Sequence, residues 1–322
     1  MINLQQSGAH GIHLPDYGIA LDTSSTSAPH LFVSHAHADH APRNGNLHVH
    51  ATPATSKLLK ARGFKVDVTE VDFYHPLETS NARITLFPAG HILGSAMVFI
   101  ETDEGNLLYT GDCRTPASPA TEGFESPARV DYLIVEATFG LPIYRWDTHE
   151  SLFDEIRSFA QATLDRDANP VFFCYNLGKA QEVMHALSPL NHRVQIHGGG
   201  YPLCSVYEDF GIDLGIYEPY DKDTVEDAIL ITPSNTQDGS MVQNLHKKQL
   251  AYVSGWAAVE SRRTQLTVDK LIPLSDHLDF FELITWCKQL RPRHVYITHT
   301  PNPDVVQHYL SREQISSSPL FH

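Results

Sequence analysis

The apolar run Leu31-Phe32-Val33-Ser34 leads straight into His35-Ala36-His37-Ala38-Asp39-His40. Four side chains carrying metal-ligating atoms therefore leave one strand end within six residues. Side chains alternate along extended backbone, so a loop leaving a strand can turn alternate residues toward one point. That convergence is what imidazole nitrogens and carboxylate oxygens need around a cation. The competing reading is a polar loop that happens to be rich in histidine, and two further features weigh against it. Ala89-Gly90-His91-Ile92-Leu93-Gly94-Ser95 sets a histidine between glycines, where backbone can approach a ligand closely. Tyr109-Thr110-Gly111-Asp112 ends another strand on an aspartate.

The rest of the chain bounds the setting for this cluster. Its 322 residues suit two domains, or one large α/β domain carrying an insertion. No apolar stretch approaches the roughly 18 residues of a membrane span. Met1 to Gln6 has neither a basic nor an apolar leader region, so a cytoplasmic protein is expected. The cysteines, Cys113, Cys174, Cys204 and Cys287, form no C-x-x-C pair and read as reduced thiols. Basic residues number 23 against 38 acidic, a net charge of −15, which excludes a protein that coats nucleic acid through a broad basic face.

Three stretches emerge along the chain. Up to about residue 145 it reads as short strands and loops. The expected elements there are a helix over 56–62, a strand over 84–87, a hairpin of 96–101 and 106–110 turning at Asp103-Glu104-Gly105, and a strand over 131–136. From 146 to 262 helix and strand alternate, with helices over 152–164 and 178–186 and strands over 170–175, 194–196, 228–232 and 250–254. Such alternation implies a parallel sheet with helices on its faces. From 263 the first pattern returns, with a helix over 280–289 and a strand over 294–298 that delivers His299. Ser316 to Pro319 is expected to fray.

With H-x-H-x-D-H, the glycine-flanked His91 and the strand-end Asp112 in that order, the chain resembles the metallo-β-lactamase superfamily. The resemblance implies an αββα sandwich with metals at its edge. It assigns one ion to His35, His37 and His91, a second to Asp39, His40 and His299, and Asp112 as the bridge. Asp22, in Gly18-Ile19-Ala20-Leu21-Asp22, matches the early aspartate that supports the cluster from behind its ligands. Glu136-Ala137-Thr138-Phe139-Gly140, Ser275-Asp276-His277 and Ile297-Thr298-His299 resemble the motifs of the β-CASP nucleases. Tyr175 to Glu182 resembles a segment of their cap. The implied architecture is a metallo-β-lactamase core over 1–145 and 263–322, with a β-CASP-like α/β cap over 146–262. Together with the continuation to Trp146, these motifs look like the bacterial DNA-ligase-associated exonucleases. Cys113 departs from relatives that more often carry an aromatic residue there, and it reads as a buried inert thiol.

The expected chemistry follows from the electrophile. A phosphodiester repels nucleophiles, and a pair of divalent cations would supply activated water at neutral pH and neutralise the phosphate oxygens. Zn²⁺ suits the thiolate-free His/Asp set, and Mn²⁺ or Fe²⁺ accept similar ligands. Asp39 and the pair His277/Glu136 are the expected catalytic residues, His277 giving the leaving oxygen its proton and Glu136 orienting it. Expected phosphate contacts are Lys179 at a helix start, Ser95, His197 and Gly198 in a glycine run, and Arg262 and Arg263. With so few cations, binding is expected to show a shallow salt slope, each neutralised phosphate adding about 0.7–0.9. DNA is favoured over RNA as substrate, and the resemblance suggests a DNA ligase and a helicase as repair partners. The rival readings are an RNA-processing β-CASP ribonuclease, a small-molecule thioesterase or lactonase of the superfamily, and a catalytically dead scaffold.

Overall fold

Among the described residues, hydrogen bonding between strands builds three sheets. The computed structural model describes residues 2–8, 11–42 and 47–321. Two compact units result: one of Met1–Ala117, Thr121–Arg145 and His277–His322, the other of Ser118–Ala120 and Trp146–Asp276.

The first unit begins with β1 (Gln5–Ser7), β2 (Gly11–Leu14), β3 (Ile19–Leu21), β4 (His30–Phe32), β5 (His48–Ala51) and β6 (Asp67–Glu70), which form one sheet in that order. From β3 onward the pairs are parallel. Between β5 and β6 runs α1 (Pro53–Ala61), started by Thr52, whose hydroxyl accepts the Thr55 N–H, and by Pro53 in the first turn. A second sheet takes β7 (Leu77–Glu78), β8 (Arg83–Pro88), β9 (Ala96–Thr102), β10 (Gly105–Tyr109) and β11 (Tyr132–Glu136). Strands β8, β9 and β10 alternate in direction, and β10 runs parallel to β11. Alternation along the strands divides the side chains between two cores. Ile84, Leu86, Val98, Leu107 and Ile134 share a cluster with Ile12, Leu14, Ile19, Leu21 and Phe32 of the first sheet.

The second unit is built on six parallel strands. After α2 (His149–Leu164) come β12 (Asn169–Phe173), α3 (Lys179–Leu187), β13 (Val194–Ile196), α4 (Tyr201–Asp209), β14 (Tyr217–Pro219) and β15 (Ile229–Thr232). Then follow α5 (Ser240–Gln243), β16 (Lys248–Val253), α6 (Ser261–Leu266) and β17 (Lys270–Ile272). The sheet order is β14-β13-β15-β12-β16-β17. The boundary expected at 262 lies elsewhere. β17 pairs in register with β16, Ala251 opposite Lys270, and carries the unit on to Asp276.

The chain then returns to the first unit with α7 (Phe280–Leu290), β18 (His294–Thr298), α8 (Pro303–Arg312) and β19 (Ser317–Pro319). Asp279 and Glu282 cap the start of α7 reciprocally. Leu283, Trp286 and Cys287 of α7 and Val306 and Leu310 of α8 cluster with Leu133, Val135, Val295 and Ile297, the other face of the second sheet. The end expected to fray is instead a strand. β19 pairs parallel to β18, Val295 opposite Ser317, and Gln307 donates to the Ser317 carbonyl. Backbone pairing and α8 hold a segment whose polar composition alone gave no strand signal. No helix among the described residues is long and apolar enough to cross a membrane.

Candidate metal centre

Strand direction explains why distant residues meet. β3 and β4 are parallel, so Asp22 and the His35–His40 loop leave the first sheet at one edge. In the second sheet β8, β10, β11 and β18 all point one way. Their carboxyl ends therefore deliver His91, Asp112, Glu136 and His299 to a single edge. Gly90 and Gly94 shape the loop that carries His91. Both take positive φ, and a Cβ on Gly90 would lie 2.5 Å from the Arg114 carbonyl oxygen.

At that edge His35 Nε2 and His91 Nε2 each lie 3.1 Å from His37 Nδ1. Asp112 Oδ2 is 3.5 Å from His35 Nε2, 3.7 Å from His91 Nε2 and 3.4 Å from His40 Nε2. Donors on a tetrahedral ion with bonds of roughly 2.0–2.1 Å would be separated by roughly 3.3 Å. Beside this set, Asp39 Oδ2 is 3.9 Å from His40 Nε2, and His299 Nδ1 is 3.8 Å from Asp112 Oδ1. All the residues expected as ligands are thus brought together.

Hydrogen bonding behind the ligands sets which ring nitrogens carry lone pairs. The Asp22 carboxylate accepts from Ser34 N (2.7 Å), Ser34 Oγ (2.5 Å), His40 Nδ1 (2.7 Å) and Tyr109 Oη (2.8 Å). A carboxylate only accepts, so His40 carries its proton on Nδ1 in the neutral ring and turns the Nε2 lone pair toward Asp112. Ser34 Oγ spends its proton on Asp22 and so accepts from His35 Nδ1 at 3.0 Å, which leaves the His35 Nε2 lone pair facing Asp112 as well. Acceptors crowd on acceptors at hydrogen-bond distance, an arrangement that calls for a cation. On His40 a proton can take that cation's place. Burial, then the neighbouring His40 and His91, hold His35 well below the usual imidazole range. Burial works against a charged His40, yet Asp112 and Asp22 hold it well above that range. Burial works against the Asp112 carboxylate too, but the imidazoles around it keep it well below its usual value.

Next to the cluster, His277 Nδ1 donates to Glu136 Oε1 at 3.0 Å. Glu136 is fully buried, and its Oε2 accepts the Thr138 N–H at 2.9 Å. Burial pushes the Glu136 carboxyl up, and His277 more than offsets this, leaving it below its usual value. The His277 ring centroid lies 4.7 Å from that of His91. Cys113 is buried, and burial with Glu136 and Asp112 nearby pushes its thiol well up, as an inert thiol requires.

The expected phosphate contacts fare differently. Ser95 is buried, and its hydroxyl accepts the His91 and Ile92 N–H groups at 3.1 and 3.2 Å, so it shapes the His91 loop. Lys179 is only 2% exposed, with Nζ 2.6 Å from Glu182 Oε2, and is not presented to solvent. Arg263 is paired with Glu260 at 2.8 Å, and the Arg262 guanidinium lies 6.0 Å from the Trp256 ring centre. His197 Nδ1 accepts the Gly199 N–H at 3.1 Å, and Gly198 has open space around it. Sequence reasoning passed over Ser34 and Tyr109, the donors that fix Asp22. Their signal was position: one directly precedes the histidine run, the other the Thr-Gly-Asp turn. It also passed over Arg62, which donates to the Ala36 carbonyl and braces the loop.

Comparison with known proteins sets this centre in a class. No protein-family model matches the chain. A probable DNA ligase of Opitutus terrae is 32% identical over 297 residues, 90% of this chain and 28% of that protein. An RNase J-like protein of Methanocaldococcus jannaschii is 26% identical over 195 residues, 53% of this chain and 46% of that one. The chain thus spans less than half the length of either relative. A protein of unknown function from Enterococcus faecalis has the same fold, with a TM-score of 0.56 at 14% identity over 86% of this chain and 76% of that one. The chain belongs to the metallo-β-lactamase superfamily. Within it, the relatives place the chain among the β-CASP proteins.

Proposed function

We propose that the protein is a metal-dependent phosphodiesterase that degrades nucleic acid, a DNA exonuclease working in repair. The observation that carries the reading is the pairing of a His/Asp cluster, in which His35 Nε2 and His40 Nε2 converge on Asp112, with a buried Glu136–His277 dyad alongside it. The family resemblance implies that the small-molecule hydrolases of the superfamily lack this dyad. A phosphodiester needs its leaving oxygen protonated, and the dyad supplies a positioned donor.

Under this reading His35, His37, His91 and Asp112 hold one divalent ion, and Asp39, His40, His299 and Asp112 a second, with Zn²⁺ the ion the ligand chemistry favours. When bound, the ions supply activated water and neutralise charge that builds on the phosphate. Asp22 keeps His40 in the ligating tautomer and, through Ser34, does the same for His35. Asp39, the most exposed of the ligands, borders the open side of the cluster. His277 presents Nε2 while Nδ1 is held by Glu136, and delivers its proton to the departing oxygen. The second unit is read as the β-CASP cap, with His197, Gly198, Arg262 and Arg263 as the remaining candidates for phosphate contact.

DNA is preferred over RNA because the alignment with a probable DNA ligase takes in nine-tenths of this chain. The same alignment suggests a ligase as partner, and a helicase remains an expectation of the family resemblance. The RNase J-like relative keeps an RNA substrate as the second reading. The test is a chelator-sensitive assay on end-labelled single-stranded DNA, duplex DNA and RNA, with product lengths followed over time. Stepwise shortening of DNA from one end supports the proposal, faster cleavage of RNA favours the second reading, and no cleavage of any of the three refutes both.

A further inference from the structure

The helix start Gly178-Lys179-Ala180-Gln181-Glu182 has no part in the metal chemistry, yet it holds two charged side chains at 2% exposure each. Lys179 Nζ and Glu182 Oε2 are 2.6 Å apart. Burying such a pair costs more desolvation than two apolar side chains of similar volume, which would pack α3 as well. The partners of the pair indicate what it does. Ser118 Oγ donates to Glu182 Oε1 at 2.7 Å, and Ser118 opens the three-residue stretch that the second unit takes from a run otherwise belonging to the first. His149 Nε2 is 3.5 Å from the same oxygen, just after the chain enters the second unit at Trp146. Asp276 Oδ1 is 3.8 Å from Lys179 Nζ, and Asp276 is the last residue before the chain leaves. One buried pair gathers the places where the chain passes between units. Burial works against the Glu182 carboxylate, but Lys179 and His149 hold it below its usual value.

We propose that the Lys179–Glu182 pair is a positioning device. It fixes the exit segment at Asp276, and through it the placement of His277, the next residue, on Glu136. The assignment rests on reading His277 as the proton donor, but its test does not depend on cleavage alone.

The experiment compares wild type, K179M, H277A and K179M/H277A as full-length protein with metal restored. K179M should lower kcat about tenfold to a hundredfold, as misplacement of a catalytic group does, while KM stays within about twofold. In the H277A background K179M should cause no further loss, because both changes act through one group. An undiminished loss there, or a wild-type kcat for K179M, overturns the proposal. Hydrogen exchange of the peptide covering 273–279 gives a readout free of activity. Exchange should be about tenfold faster in K179M, with β12 and β15 as protected as in wild type. Unchanged exchange overturns the proposal, and so does uniform loosening of the unit. Should wild type cleave no oligonucleotide, the functional reading fails while the exchange result still decides the positioning role. If K179M does not fold, K179Q, which keeps a hydrogen-bond donor toward Glu182, takes its place. Failure of both to fold overturns the proposal in favour of a purely structural pair.

Discussion

Replacing Asp22 by asparagine tests how the ligands are prepared. The side chain keeps its shape and loses its charge, and neither orientation of the amide suits its site. With NH₂ in place of Oδ2, three donors face another donor: Ser34 Oγ at 2.5 Å, His40 Nδ1 at 2.7 Å and Tyr109 Oη at 2.8 Å. The two hydroxyls can turn a lone pair toward it. The imidazole can respond only by moving its proton to Nε2, which removes the lone pair that faces Asp112 at 3.4 Å. With NH₂ in place of Oδ1, the buried Ser34 N–H loses its 2.7 Å acceptor, at a cost of about 1–3 kcal/mol. Loss of such support behind a ligand lowers metal affinity about 10–100-fold. At about 1.4 kcal/mol per tenfold, that is roughly 1.4–2.8 kcal/mol. Competition with a metal-sensitive chelator should show the ion on His40 weakened by this factor, and the ion on His35, His37 and His91 weakened as well, since Ser34 would turn a lone pair to the amide and its proton toward His35 Nδ1. Excess metal should restore activity. Two ions bound as tightly as in wild type would refute the tautomer argument.

Other expectations follow from the same geometry. H277A should lower kcat about 10²–10⁴-fold, the usual worth of a general acid, while metal content measured by elemental analysis stays at the wild-type value. Oligonucleotide affinity measured against salt should give a shallow slope, about 0.7–0.9 per phosphate contacted, because only His197, Gly198, Arg262 and Arg263 remain as candidate contacts and the net charge is −15; the slope of a many-contact binder would contradict it. Glu182 has its folded pKa held below the ordinary 4.5. Its charge therefore contributes stability that is present above pH about 4.5 and lost as the pH falls through the folded value. E182Q should lower Tm near neutrality and flatten the fall in Tm below pH about 4.5, as read by calorimetry.

Much of the candidate centre was legible because the residues expected as ligands sit at strand ends in short, unusual runs. His35 to His40 is one such run, and His91 and Asp112 each follow a strand that alternation makes visible. Burial was far less legible. Lys179 follows a glycine at a helix start, the setting of a phosphate contact, and nothing in the sequence shows that it is buried against Glu182 and the distant Asp276, with Ser118 holding Glu182. Ser95 carries a hydroxyl beside the cluster, but the tight turn at Gly94 directs it to backbone N–H groups. The unit boundary was missed for a related reason. β17 is three residues long, too short for a periodic signal, and only its pairing with β16 assigns it. β19 carries three polar or proline residues and exists through its neighbour β18.

The central claim is that this His/Asp cluster becomes a phosphodiesterase when divalent ions fill it. The direct measurement strips the protein with chelator, restores Zn²⁺ or Mn²⁺ stepwise, and follows cleavage of end-labelled single-stranded DNA against bound metal. The account predicts no cleavage in stripped protein, a rise that reaches its plateau at two bound ions per chain, and no rise in D112A. Cleavage that persists without metal, or two ions bound tightly with no cleavage of DNA or RNA, would contradict it.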